Sequence, residues 1–150
     1  MNNSVILASI GLGLMVGLSG TGSAIGLVIG GSSAIGAVKK KPEVFGSSLV
    51  LSALPASQGL YGFVCFILFH KSVNPNMTLF QGAMILAAGI AMGLTALFSA
   101  IQQGKVCAAG ISAIGSGHDV FANTFILAVF PEFYAVLALV VSILIKTTML

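Results

Sequence analysis

The stretch FANTFILAVFPEFYAVLALVVSILI, Phe121 to Ile145, is long enough to cross a bilayer and carries one charged residue, Glu132, near its middle. An ionised group at that depth costs at least ~2.5 to 3.5 kcal/mol even on the lenient insertion scale. By default such a residue marks an ion or proton path, and the rest of the chain is read as its housing.

Composition agrees with a membrane setting. Hydrophobic residues make up 57% of the 150, charged residues only 6%, and mean hydropathy is +1.12. Together with 19 glycines, these values describe an integral membrane protein packed through small residues, with no need of a soluble core. The net charge of +3 rests mainly on Lys39, Lys40 and Lys41. Three lysines beside apolar spans read as a cytoplasmic topology signal, so no nucleic-acid partner is expected. Cys65 and Cys107 lie in apolar segments without CxxC or Cys/His spacing and are read as reduced packing residues. The start, Met-Asn-Asn-Ser, has no basic n-region, so the first apolar segment is expected to be a retained span and not a cleaved signal.

Breaks at Lys39 to Glu43, Lys71 to Thr78 and Gly115 to Asp119 leave four apolar segments: Val5 to Val38, Val44 to Phe69, Leu79 to Ile114 and Val120 to Ile145. Each exceeds the ~20 residues that a transmembrane helix needs. The expected fold is an all-α membrane protein of four transmembrane helices in a single domain over residues 1–150. It divides into two duplicated helical hairpins, about 5–70 and about 79–147. Ser33-Ala-Ile-Gly36 returns as Ser112-Ala-Ile-Gly115, Val44-Phe45 as Val120-Phe121, and Pro55 as Pro131. The spacing drops by three residues across the loop, which implies a shorter second turn. A two-span unit returns the chain to its starting side, so both copies insert in the same sense, which disfavours inverted-repeat transporters. Gly13, Gly17, Gly22, Gly26 and Gly30 give small-xxx-small spacing along the first span. The third keeps Gly82, Ala88, Gly93, Ala96, Ala100 and Gly104. Two readings stay open: one four-helix bundle, or a homo-oligomeric ring with first and third spans on its inner wall.

Hairpin geometry selects the neighbours of Glu132. Gln103 and Glu132 are equidistant from the centre of the second loop, about 22 Å along the helix axis from the turn. Gln58 duplicates the position of Tyr134, about half a turn from Glu132. Leu54, Ser57, Gln58 and Tyr61 follow i, i+3, i+4, i+7 spacing and share one face. Pro55 and Pro131 free or tilt carbonyls in the preceding turn, near Leu51 to Leu54 and Leu127 to Phe130. A proton needs Glu132 and one hydrogen-bond partner, whereas a desolvated hard cation needs several oxygens. Ser57, Gln58, Gln103, a carbonyl and Glu132 offer that surplus, which favours sodium while leaving the proton open.

At these residues the chain resembles the membrane rotor subunit, called K or c, of V-type and A-type rotary ATPases in its duplicated four-span form. The matching text is Leu54-Pro-Ala-Ser-Gln-Gly-Leu-Tyr-Gly-Phe-Val64, Leu97-Phe-Ser-Ala-Ile-Gln-Gln-Gly-Lys-Val106 with Ala108-Ala-Gly-Ile111, and Pro131-Glu-Phe-Tyr-Ala-Val-Leu137. The resemblance implies a sodium ligand set of the Leu54 carbonyl, Ser57, Gln58, Gln103 and Glu132, with Tyr61 hydrogen-bonding the carboxylate. Ser57 stands where sodium-binding relatives often carry threonine, which keeps the hydroxyl and loses a methyl. Ala56 occupies the duplicate of the Glu132 position, so each chain carries one acid per four spans. The implied partners are identical subunits in a ring, a membrane stator subunit, the central stalk and lipid. ATP hydrolysis is expected on other subunits, since no phosphate-cradling motif occurs here, and no organic cofactor is expected. Fewer ions per turn let one ATP work against a steeper gradient, so pumping is the expected direction.

Other polar residues have plainer readings. Lys105 is rotated ~200° from Gln103 and is expected to snorkel toward the loop side. His70 and His118 are expected at the interfaces, and Asp119 as the N-cap of the fourth helix. Gln102 is the second candidate ligand if the register is off by one. The rival functions are a small four-span secondary transporter with a proton-coupled site at Glu132, and a structural bundle with Glu132 permanently protonated. The hairpin loops are expected to face the cytoplasm, with both termini on the opposite side of the cell membrane.

Overall fold

The computed structural model describes residues 2–150. Helix α1 (Asn3–Lys40) starts at Asn2, whose side-chain oxygen accepts from the Ser4 amide at 3.1 Å. It ends on Lys39 and Lys40, cations placed where the helix dipole favours them. Pro42 then opens a 3₁₀ turn (Pro42–Val44) into α2 (Phe45–Ala53). Pro55 lies in a second 3₁₀ turn (Leu54–Ala56) before α3 (Ser57–Phe69), so the second span, Pro42–Ser72, is bent at its proline. Helix α4 (Leu79–Gly115) begins with a capping box: Gln81 N–H donates to Thr78 Oγ1 at 3.2 Å, and Thr78 N–H to Gln81 Oε1 at 3.0 Å. Helix α5 (Phe121–Met149) carries Pro131 inside a continuous helix. Two prolines at duplicated positions therefore act differently, one splitting its span and one not. Among the described residues there are four helical spans long and apolar enough to cross a membrane, as the sequence predicts.

Two expectations are corrected. Asp119 does not cap α5: the N-cap is Val120, without a side-chain cap bond. The turn closes instead through backbone bonds, Gly117 N–H to Ile114 O at 2.9 Å and His118 N–H to Ala113 O at 3.1 Å. That pattern needs a left-handed residue after the helix, which Gly117 supplies with φ of +100°. Its register puts Asp119 one residue too early. The second turn has also lost nothing. Helices α2 and α5 begin at the duplicated pair Phe45 and Phe121, and α1 and α4 end at Lys40 and Gly115, within one residue of a single shared register. Small residues recur along both long helices at nearly helical spacing, so the Ser-Ala-Ile-Gly strings still match when slipped by three.

Helices α1 and α4 form the most extensive contact, and glycine is what allows it. A Cβ on Gly26 would run into Ala100 O, and one on Gly22 would lie 2.6 Å from Leu97 Cα. From the other side, a Cβ on Gly104 would lie 2.6 Å from Gly26 O, and one on Gly89 would run into Gly11 O. Gly13 and Gly17 do not take part, since a Cβ on either meets nothing within 4 Å. The small-residue motif is thus split between two faces of α1. Cys65 and Cys107 are buried and free in two separate apolar clusters, one around Met15, Phe69, Ile85 and Met92, the other around Leu51, Ile111 and Ala128.

The two hairpin turns lie at one end, where Lys41 Nζ approaches Gly117. Asn2 Nδ2 donates to Pro75 O at 2.8 Å, Ser4 Oγ to Met77 O at 3.0 Å, and Lys146 Nζ to Ser72 Oγ. These bonds gather both terminal segments and the central loop at the other end.

Candidate ion-binding site

Glu132 sits half-buried on α5, within hydrogen-bond reach of α3, which starts just after the bend at Pro55, and of α4. Each carboxylate oxygen has its own donor. Tyr61 OH from α3 reaches Oε1 at 2.8 Å, and Gln103 Nε2 from α4 reaches Oε2 at 2.9 Å. Hydrogen bonds to an ionised group run about 1.5 to 3 kcal/mol each, so the acid is held between two helices other than its own.

The polar chain continues inward. Gln58 and Gln103 are wholly buried, and burial at that level requires every N–H to find a partner. Gln103 Nε2 also donates to Ala128 O at 2.9 Å. Gln58 Nε2 donates to Gln103 Oε1 at 2.8 Å and to Ser99 Oγ at 3.1 Å. Ser57 Oγ has one proton and two acceptors in range, Leu54 O and Gln58 Oε1, each at 3.2 Å. The 3₁₀ turn at Pro55 brings the Leu54 carbonyl beside the Ser57 hydroxyl. All six residues singled out from sequence, Leu54, Ser57, Gln58, Tyr61, Gln103 and Glu132, therefore belong to one connected network.

Ser99 was missed. Its hydroxyl accepts from Gln58 and donates to Pro131 O at 2.7 Å, tying α3, α4 and α5 at one point. It precedes Gln103 by one helical turn, so i, i+4 spacing was the signal available. The Ala128 carbonyl, inside the turn that Pro131 was expected to loosen, takes the second Gln103 bond. Gln102 and Lys105 are exposed while Gln103 is buried, so the predicted register holds and Lys105 does not face the acid. His70 stacks on Phe66 at the end of its span, and His118 lies exposed in the second turn. Among the described residues no group of three His, Cys, Asp or Glu side chains could hold a metal. Any cation taken here would be bound by one carboxylate and neutral oxygens, a set of hard ligands.

The chain is thus a membrane protein of two helical hairpins with a single membrane-depth carboxylate held by one amide and one phenol. The family model of the ATP synthase C subunit matches twice, over residues 10–69 and 86–145, and the chain belongs to that family of ring-forming proteolipids. The two stretches are equal in length, in keeping with the single register of the helix ends. The chain is 42% identical to A-type ATP synthase subunit K of Methanocaldococcus jannaschii over 96% of its own length and 63% of that protein's, so it spans less than two thirds of that relative. It is 37% identical to V-type sodium ATPase subunit K of Enterococcus hirae, over 95% of this chain and 92% of that one. Similarity to the 16 kDa proteolipid of the human V-type proton ATPase is 24% identity over 86% of the chain and 83% of the relative.

Proposed function

We propose that this chain is a rotor-ring subunit of an A/V-type rotary ATPase that carries Na+ across the membrane at Glu132, and that it hydrolyses nothing itself. The observation behind this reading is the unbroken network from the Leu54 carbonyl through Ser57, Gln58 and Gln103 to the one acid in the membrane. A cation drawn to Glu132 takes oxygens now engaged in hydrogen bonds: Gln103 Oε1 from the Gln58 amide, Gln58 Oε1 and Leu54 O from the Ser57 hydroxyl. Tyr61 keeps its hold on the second carboxylate oxygen and fixes the rotamer. Once neutralised, the acid crosses the lipid-facing part of its circuit at far lower cost than the bare anion. Loading and unloading would occur at two half-channels of a stator subunit. The hairpin turns, carrying Lys39 to Lys41, would face the cytoplasm and meet the central stalk.

A second reading, the same ring coupled to H+, has its own support. Tyr61 and Gln103 alone already supply both direct partners of Glu132, and a proton asks for nothing more. Labelling of Glu132 by a hydrophobic carbodiimide separates the two, because only the protonated acid reacts. Under the sodium reading, NaCl slows the reaction at constant ionic strength and KCl does not. No sodium protection at any pH where Glu132 still reacts would leave the proton reading standing.

A further inference from the structure

The three acidic side chains of the sequence are unevenly placed. Glu43 and Asp119 accompany Lys39, Lys40 and Lys41 at the turn end, and Glu132 lies at membrane depth. No Asp or Glu lies in the segments at the other end, which carry Lys71 and Lys146. Those two lysines belong to different helices and still converge. Lys71 sits in the 3₁₀ turn His70–Ser72 that follows α3, and Lys146, in the last turn of α5, reaches across to donate from Nζ to Ser72 Oγ. Helix dipoles favour a cation at each C-terminus but do not explain why two of them meet at one turn. Like charges brought together repel, and an anion held against both removes that cost. His70 is engaged separately: its ring stacks on Phe66 with centroids 5.7 Å apart, and Nδ1 lies 2.7 Å from Ile67 O. Beside the lysines the surface is apolar and open. Ile67 and Leu68 lie one turn before Lys71, Ile143 and Leu144 within one turn of Lys146, and all four are exposed, Leu144 by 53%.

We propose that Lys71, Lys146 and Ser72 form a headgroup site for an anionic phospholipid whose acyl chains lie along α3 and α5. The phosphate accepts from both ammonium groups. Among the described residues the Ser72 hydroxyl is engaged only as an acceptor, so its own proton is a third donor to the headgroup. An acidic protein segment would meet the same charges without using the apolar surface beside them, whereas a phospholipid presents an anion and a hydrocarbon tail together. The site lies about 21 Å along α5 from Glu132, at 1.5 Å per residue, and holds whichever ion that acid carries.

The full chain, in its native assembly, is reconstituted in vesicles of phosphatidylcholine and phosphatidylglycerol in equal parts, with a fluorophore on Leu144→Cys. Cys65 and Cys107 are buried and stay unlabelled. Bromine on the acyl chains of one lipid or the other then reports which of them touches the probe. Phosphatidylglycerol should be enriched there, by about fivefold for each lysine near its headgroup. Lys71→Gln/Lys146→Gln should bring the two lipids to parity, and Lys71→Arg/Lys146→Arg, which keeps the charge, should retain the preference. Neutralising Lys39, Lys40 and Lys41 should leave the ratio at this probe unchanged. Unaltered carbodiimide labelling of Glu132 shows that each variant keeps its fold. Added salt should lower the ratio even without substitution, since the headgroup contact is electrostatic. Parity in the otherwise unsubstituted chain overturns the site, as does an enrichment that survives the loss of both lysines or ignores salt. Parity together with protection of Lys71 and Lys146 from an amine reagent by polyglutamate would assign the pair to an acidic protein segment instead.

Discussion

Glu132 is held by what surrounds it more than by its own helix, so its neighbours should differ in what they do. Gln103→Leu removes the donor to Oε2 and a candidate oxygen ligand together, and at about 1.5 to 3 kcal/mol for a hydrogen bond to a charged group the expected loss in sodium affinity is roughly tenfold to a hundredfold. Competition of sodium with carbodiimide labelling measures it, and an unchanged half-protective concentration would exclude Gln103 from the site. Ser99→Ala is a subtler test. It leaves one Gln58 N–H without its acceptor and frees the Pro131 carbonyl, a cost of about 1 to 3 kcal/mol that should lower the thermal stability of the assembly while the carboxylate keeps both of its donors. Glu132→Gln should abolish labelling and transport with the oligomer intact. Transport surviving in that variant would remove the residue from the mechanism.

At the scale of the element, α1 presents two glycine faces with separate roles. Gly26→Ala drives a Cβ into a backbone oxygen of α4, contact that no rotamer can relieve, so the helices must part. A loss of about 1 to 3 kcal/mol is expected, read as a lowered unfolding midpoint in detergent. Gly36→Ala, with open space around it, should be neutral or slightly stabilising through helix propensity. Equal effects at the two positions would mean that α1 and α4 do not pack as described. The glycine spacing alone did not separate these faces, because several registers of small residues fit one sequence. The bend at Pro55 and the unbroken helix at Pro131 were equally hidden, since the same residue at duplicated positions meets different neighbours.

The charged residues of the molecule gather toward its two ends, with Glu132 and Lys105 between them. With Lys39, Lys40 and Lys41 at the turn end, the turns should face the cytoplasm. A membrane-impermeant maleimide should label Ser116→Cys from the cytoplasmic side in inverted vesicles and not in right-side-out ones, and labelling from outside alone would reverse the topology. Ala56 stands in the duplicate of the Glu132 position, and Gln58 and Tyr61 from the same hairpin point across to α4 and α5.

Four spans, two hairpins and the five residues joined to Glu132 were legible in the sequence, because bilayer thickness, helical rise and a buried charge's need for partners act on short stretches of chain. Gln103 could be placed opposite Glu132 by counting residues from a turn, since both helices rise at the same rate. The role of Ser99, the cap of α5, the true register of the duplication and the face each glycine serves were decided only in the folded molecule. Those depend on how far apart and at what rotation two helices settle, a distance set by side chains meeting from separate elements, which spacing along one helix does not contain.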